Sequence, residues 1–136
     1  MIKVLNDASY MKDDPVRPSL SYAFRKSVGE IFYIGGDKPD AIVCVAYTSD
    51  IPTTVRELAL YSHPQGDNCI AYTVWSYASG AGRDIILNLR DYAIENDFKR
   101  LVTLSPKTEM ARKFHLRNGA FILNENEETD NYEYEL

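Results

Sequence analysis

The residues best suited to chemistry lie between Val74 and Arg83. A β-rich run from Cys69 to Trp75 leads into Ser76-Tyr77-Ala78-Ser79-Gly80-Ala81-Gly82-Arg83, and the amphipathic stretch DIILNLRDYAIEN follows at once. A strand, a turn of small residues and a helix start together make an anion seat. The glycines remove side chains, so backbone N–H groups at the helix start can approach a negative group closely. The positive end of the helix dipole points at the same spot, and Arg83 adds a formal charge there. The seat suits a phosphate or a pyrophosphate, although the same spacing also serves plain tight turns. No Gly-Lys-Ser/Thr follows, and no third glycine completes a dinucleotide fingerprint.

A second cluster runs from Thr108 to Ala120 and carries His115. A histidine of ordinary pKa can give or take a proton near neutrality. His115 follows Ala111 by four residues, next to an apolar helix face, and that spacing equally suits a packed histidine. His63 sits in an unrelated loop, and the two cysteines, Cys44 and Cys69, lie inside apolar strand-like runs. They form no zinc-ligand pattern and no nucleophile-like turn, so they read as buried, reduced thiols. Trp75 and Tyr77 are candidates for an acceptor pocket or for simple packing. Glu30 and Glu57 are candidate bases, or merely solvated carboxylates. Cys69–Trp75 contains no carboxylate, which leaves a water relay as the alternative base.

These groups need elements to hold them. IKVLN (residues 2–6) reads as a first strand. The acidic and proline-rich Asp13–Pro18, with Leu20, Phe24 and Val28 behind it, predicts a helix over about residues 17–28 that ends near Gly29. GEIFYIGGDKPDAIVCVAYT predicts two strands joined around Gly35–Pro39, the second buried on both faces from Ala41 to Thr48. Pro52-Thr53-Thr54 caps a short helix, VRELALY, with Val55, Leu58 and Ala59 on one side. His63–Asn68 is a loop. Ile85, Ile86, Leu89, Tyr92 and Ala93 recur at helical spacing after the glycine turn. Arg100–Leu104 is a strand broken by Ser105-Pro106. Thr108 opens a helix with Met110, Ala111 and Phe114 on one face, closed by Asn118-Gly119. AFIL and NYEYEL are final strands around an acidic loop, ENEETD. Alternating strands and helices imply an α/β or α+β fold with a central mixed sheet.

The 136 residues suit a single domain, 1–136, and the 45% hydrophobic share supports a packed core. Fifteen basic against twenty acidic side chains give a net charge of −5, which argues against a nucleic-acid partner. No apolar run is long enough to span a membrane, and the first residues lack a hydrophobic signal core, so a cytoplasmic protein is expected.

Val74 to Arg83 followed by DIILNL resembles the acyl-CoA motif of the GNAT superfamily of N-acyltransferases, a strand before Arg/Gln-x-x-Gly-x-Gly/Ala and a long helix. Downstream, Thr108-Glu109-Met110-Ala111-Arg112-Lys113-Phe114-His115-Leu116-Arg117-Asn118-Gly119-Ala120 is similar to that family's Asn-x-x-Ala-x-x-Phe-Tyr-x-x-x-Gly-Phe. RLVTLSP resembles its strand that diverges to admit the pantetheine arm. The likeness covers about residues 69–121. A softer resemblance is to acyltransferase-like chains of tailed bacteriophages.

The resemblance implies a single GNAT-like domain whose sheet splays between the strands at 69–75 and 100–104. It implies transfer of an acetyl or other acyl group from acetyl-CoA (acyl-CoA) to a primary amine by direct attack, with no metal. The acceptor is a small-molecule amine or a protein lysine or N-terminus, and the oligomeric state stays open between monomer and homodimer. Ser79, Gly80, Ala81, Gly82 and Arg83 would seat the pyrophosphate. Val74, Trp75 and Ser76 would offer backbone N–H donors to the thioester carbonyl, and Thr108 and Ala111 complete the cofactor-binding set. His115 stands at the family's tyrosine, which protonates the departing thiolate, and Tyr77 stands at its Arg/Gln. These two departures leave an alternative, a catalytically silent GNAT-fold protein that binds CoA or acts as a structural or interaction module. An unrelated nucleotide binder using the glycine turn is a third reading.

Overall fold

Side chains alternate along β3 (Pro39–Thr48) and divide the interior in two. Every residue from Ala41 to Ala46 is buried. Successive strand residues face opposite sides, so Ala41, Val43 and Val45 enter one core and Ile42, Cys44 and Ala46 the other. A strand apolar on both faces belongs in the middle of a sheet. The computed structural model describes residues 1–136 and places β3 within a mixed, eight-stranded sheet. The other strands are β1 (Lys3–Val4), β2 (Gly29–Gly35), β4 (Asn68–Ser76), β5 (Arg100–Thr103), β6 (Ser105–Pro106), β7 (Phe121–Glu125) and β8 (Thr129–Tyr134). Their order is β1-β2-β3-β4-β5-β8-β6, with β7 also on β8. Only β4 and β5 run parallel.

Four α-helices cover the sheet, α1 (Tyr22–Val28), α2 (Val55–Leu60), α3 (Ala81–Glu95) and α4 (Glu109–Arg117), and a 3-10 helix spans Ala8–Asp13. Ile85, Ile86, Leu89 and Ala93 of α3 bury the predicted stripe against Val43, Val45 and Leu101. Val28 of α1 and Leu58 of α2 pack on the opposite face with Ile42, Ile70 and Leu104. Burying a side chain such as Leu89 contributes about 2 kcal/mol. Gly29 ends α1 hard against β3, where a Cβ would lie 2.1 Å from the carbonyl oxygen of Val45.

Four local expectations change. The first helix begins at Tyr22 rather than near residue 17, because Ser21 Oγ caps it through the Phe24 N–H. The Asp14 carboxylate instead holds the preceding turn by accepting from Val16 and Arg17 N–H. Ser105-Pro106 does not simply break a strand; it pairs with Asp130 and Thr129 of β8, and Pro106 is tolerated at that margin. Met110 is 82% exposed, and Ala59 is exposed too, so neither joins its helix's apolar face. The acidic loop shrinks to Asn126–Glu128, since Thr129 and Asp130 enter β8 and are buried.

Candidate active site

β4 and β5 part company midway. Asn68–Ala71 pairs with Arg100–Thr103, and the Leu104 N–H makes a last bond to the Ala71 carbonyl at 2.9 Å. β5 also pairs with β8 through Leu101 and Val102, and beyond it β6 pairs with β8 alone. Asn131 donates to the Thr103 carbonyl at 2.7 Å, and the Tyr132 N–H donates to Thr103 Oγ1 at 3.0 Å. On the other side β4 bulges. Cys44 opposes Thr73 and Val45 opposes Ala71, which leaves Tyr72 without a partner on β3. A bulge bends its strand and re-aims its side chains.

The divergence opens a cleft of about 640 Å³. Its walls are Ala71–Ser76 of β4, Leu104–Pro106, Gly82 of α3, Pro15 and Val16, and the α4 side chains Thr108, Met110, Ala111, Phe114 and His115. Alternate residues of a strand turn their N–H groups away from an antiparallel neighbour. The Tyr77 N–H bonds the Asp40 carbonyl on the β3 side and Trp75 shares its orientation, so the edge that β5 has left offers the N–H groups of Val74 and Ser76 to the cleft, and not that of Trp75.

At one end of the cleft α3 begins without a side-chain cap. Its Ncap, Gly80, adopts φ 78°, a left-handed conformation suited to glycine. The N–H groups of Gly82 and Arg83 have no acceptor within the protein, and uncapped helix starts are ready-made anion sites. A Cβ at Gly82 would stand 3.3 Å from Phe114 Cε1 and 3.9 Å from Ser76 Oγ, so glycine keeps this end open.

The structure brings Val74, Trp75, Ser76, Gly82, Thr108, Ala111 and His115 together on the cleft. Ser79, Gly80 and Arg83 lie exposed beside it, and Ala81 packs inward under α3. Arg83 has Asp84 as its neighbour in the first turn. The Thr108 hydroxyl caps α4 through the Ala111 N–H at 3.2 Å, so both groups are spent on helix geometry.

His115 is 5% exposed, the one buried side chain of α4. Its ring stacks on Tyr132 at 5.2 Å, and its Nδ1 lies 2.8 Å from the Tyr134 hydroxyl. Burial lowers its pKa to about 4, so the ring is neutral at pH 7. The ordinary pKa expected from its residue type is thus lowered by burial.

Trp75 and Tyr77 do different work. Trp75 lines the cleft and donates from Nε1 to the Tyr77 hydroxyl at 2.9 Å, which in turn donates to Asp13 Oδ2 at 2.8 Å. The phenol at the family's Arg/Gln position is thereby engaged away from the helix start. Glu57 accepts from Thr53 and from the Tyr61 hydroxyl, which holds its carboxyl below the usual range. Glu30 pairs with Lys26. Neither glutamate lines the cleft. Cys44 and Cys69 are fully buried, and burial pushes the Cys44 thiol up to about 11 and the Cys69 thiol higher still.

Three features of the site carry no signal in the sequence. Asp14 and Arg25 form a fully buried ion pair at 2.7 Å, and Asp14 also accepts from Thr73 Oγ1 on β4 at 2.9 Å. Arg17 donates to the Leu104 carbonyl at 2.9 Å, so residues 14–17 strap the two splayed strands together. The Tyr72 hydroxyl is buried in the cleft wall without a partner.

No family model and no curated protein sequence matches the chain. Solved structures do. An acetyltransferase from Bacillus subtilis in complex with CoA superposes with a TM-score of 0.69 at 11% identity, covering 99% of this chain and 97% of that one. A GNAT-family acetyltransferase from Listeria monocytogenes gives 0.67 at 9% identity, over 100% and 94%. A ribosomal-protein-alanine N-acetyltransferase from Brucella melitensis gives 0.63 at 8% identity, over 100% and 99%. The expected fold is therefore the observed one: residues 1–136 have the GNAT acyltransferase fold.

Proposed function

We propose that this GNAT-fold chain transfers an acetyl or other acyl group from acetyl-CoA to a primary amine by direct attack on the thioester. The observation that carries the reading is the cleft between β4 and β5, closed at one end by the uncapped start of α3 with Gly82 against Phe114. A free N–H pair and a position that any Cβ would fill fit a pyrophosphate, seated across Ser79–Arg83. The pantetheine arm would run between Val74–Ser76 and Ala111, with Thr108 fixing the α4 end of that wall.

In the reaction, a neutral amine adds to the thioester carbon, and the carbonyl oxygen gains charge beside the N–H groups of Val74 and Ser76. The carbon–sulfur bond then breaks, and the proton lost by the amine nitrogen ends on the thiolate. His115 faces the same cleft and is the side chain assigned to the reacting end. The acceptor is a small-molecule amine or a protein lysine or N-terminus.

The second reading, a CoA-binding protein without turnover, rests on the two departures from the motif, Tyr77 and His115. Release of free CoA thiol from acetyl-CoA, measured across a panel of amines and lysine peptides, separates the two. Amine-dependent release that falls in His115→Phe supports the transferase. Full turnover in His115→Phe removes His115 from it, and CoA binding without release under any amine supports the second reading.

A further inference from the structure

The pair His115–Tyr134 can be resolved by counting donors. Tyr134 is buried, and His115 Nδ1 is the single partner of its hydroxyl. His115 Nε2 has no partner within the protein, and the residue lines the cleft. With the proton on Nδ1, the ring would donate to the phenol oxygen, and the buried phenolic O–H would be left with no acceptor. With the proton on Nε2, the phenol donates to Nδ1, and the remaining donor opens toward the cleft. A buried unsatisfied donor costs the full desolvation of that group, so the second arrangement is favoured. Stacking on Tyr132 and edge contacts with Phe114 and Tyr134 fix the ring plane.

We infer that Tyr134 is a positioning residue that holds His115 as the neutral Nε2–H tautomer, a fixed hydrogen-bond donor to the thioester oxygen or the departing sulfur. This rests on the transferase reading for its ligand but not for its geometry. Burial keeps the ring uncharged, in agreement with a pKa of about 4. His115 then stabilises charge rather than surrendering a proton, since loss of the Nε2 proton from a neutral imidazole would leave an imidazolate. The thiolate takes its proton from the amine through solvent.

The test is the nitrogen-15 spectrum of the His115 ring in the whole protein at pH 7, first without ligand. The expected result is a pyrrole-type Nε2 and a pyridine-type Nδ1 shifted by an accepted hydrogen bond. In Tyr134→Phe, with its fold checked by circular dichroism, Nδ1 moves to its unbonded position. A protonated Nδ1, a charged ring at pH 7, or an Nδ1 shift identical in Tyr134→Phe would overturn the assignment. Titration with CoA is then the functional arm, and Nε2 is expected to shift as CoA saturates. If CoA binds and Nε2 stays put, the donor role is wrong. If CoA does not bind while the tautomer is as stated, the transferase reading fails and the tautomer stands. With an acceptor in hand, Tyr134→Phe lowers kcat by roughly tenfold, the worth of one hydrogen bond, with KM for acetyl-CoA unchanged.

Discussion

Gly82 on α3 and Phe114 on α4 approach so closely that a Cβ at position 82 would lie 3.3 Å from Cε1 of the ring. The two residues come from the two separate motifs, 32 positions apart in sequence, and they meet where the cleft reaches the open start of α3. The contact sets both the width of that end and the freedom of the amides beside it.

Gly82→Ala therefore has opposing effects. Alanine favours the helix by up to about 1 kcal/mol, while the Phe114 ring must give by a few tenths of an ångström. Stability measured by urea denaturation should stay within about 1 kcal/mol of the parent, and affinity for CoA should drop as the ring moves into the cleft. A variant that binds CoA as the parent does would mean that the ligand does not pass this contact.

Asp14 and Arg25 are both inaccessible to solvent. Removing one partner leaves a buried, uncompensated charge, so Asp14→Ala should cost about 3–5 kcal/mol in urea denaturation. It also frees Thr73 and loosens the strap across β4. A loss below about 1 kcal/mol would show that solvent reaches the Arg25 guanidinium, contrary to its burial.

The His115 ring gives a pH signature. Its pKa is about 4 in the folded chain against an ordinary value near 6.5. Between those values the unfolded chain binds the extra proton, so stability contributed by the neutral ring is complete above about pH 6.5 and is lost as pH falls toward 4. The loss amounts to something on the order of 3 kcal/mol by pH 4. Denaturation of the parent and of His115→Gln across this window should show the smaller slope in the variant. Equal slopes would place the ring in contact with water.

Cys44 and Cys69 have no exposed surface, and burial holds both thiols protonated at neutral pH. A maleimide reagent should label neither in the native protein and both in denaturant. Native labelling of one thiol would mean that its strand opens locally.

Much of this was legible in the sequence, for identifiable reasons. The unbroken apolar run Ala41–Ala46 and the helical spacing of Ile85, Ile86, Leu89 and Ala93 are local patterns, and both elements stand where those patterns put them. The cleft residues Val74, Ser76, Gly82, Thr108, Ala111 and His115 line one cleft because their motifs sit on elements that the fold brings together. What was missed depends on distance along the chain. The Thr73–Asp14 bond spans 59 positions and the His115–Tyr134 bond 19, and neither has a local pattern. The late start of α1 follows from Ser21, whose hydroxyl caps the helix, while Asp14 holds the turn before it. The bulge at Tyr72 is a slip of one residue within an apolar run, invisible to composition or period.

The central claim is that the cleft between β4 and β5 takes a CoA thioester with its pyrophosphate at the start of α3. Its most direct test is thermal denaturation with acetyl-CoA, CoA, ATP and NAD, run on the parent and on Gly82→Gln. A ligand at about 100 times its Kd adds about 2.7 kcal/mol, enough to raise Tm by several degrees at this chain length. A rise with acetyl-CoA and CoA alone, absent in Gly82→Gln, is the expected result. No rise with either CoA species, or an equal rise in Gly82→Gln, would contradict it.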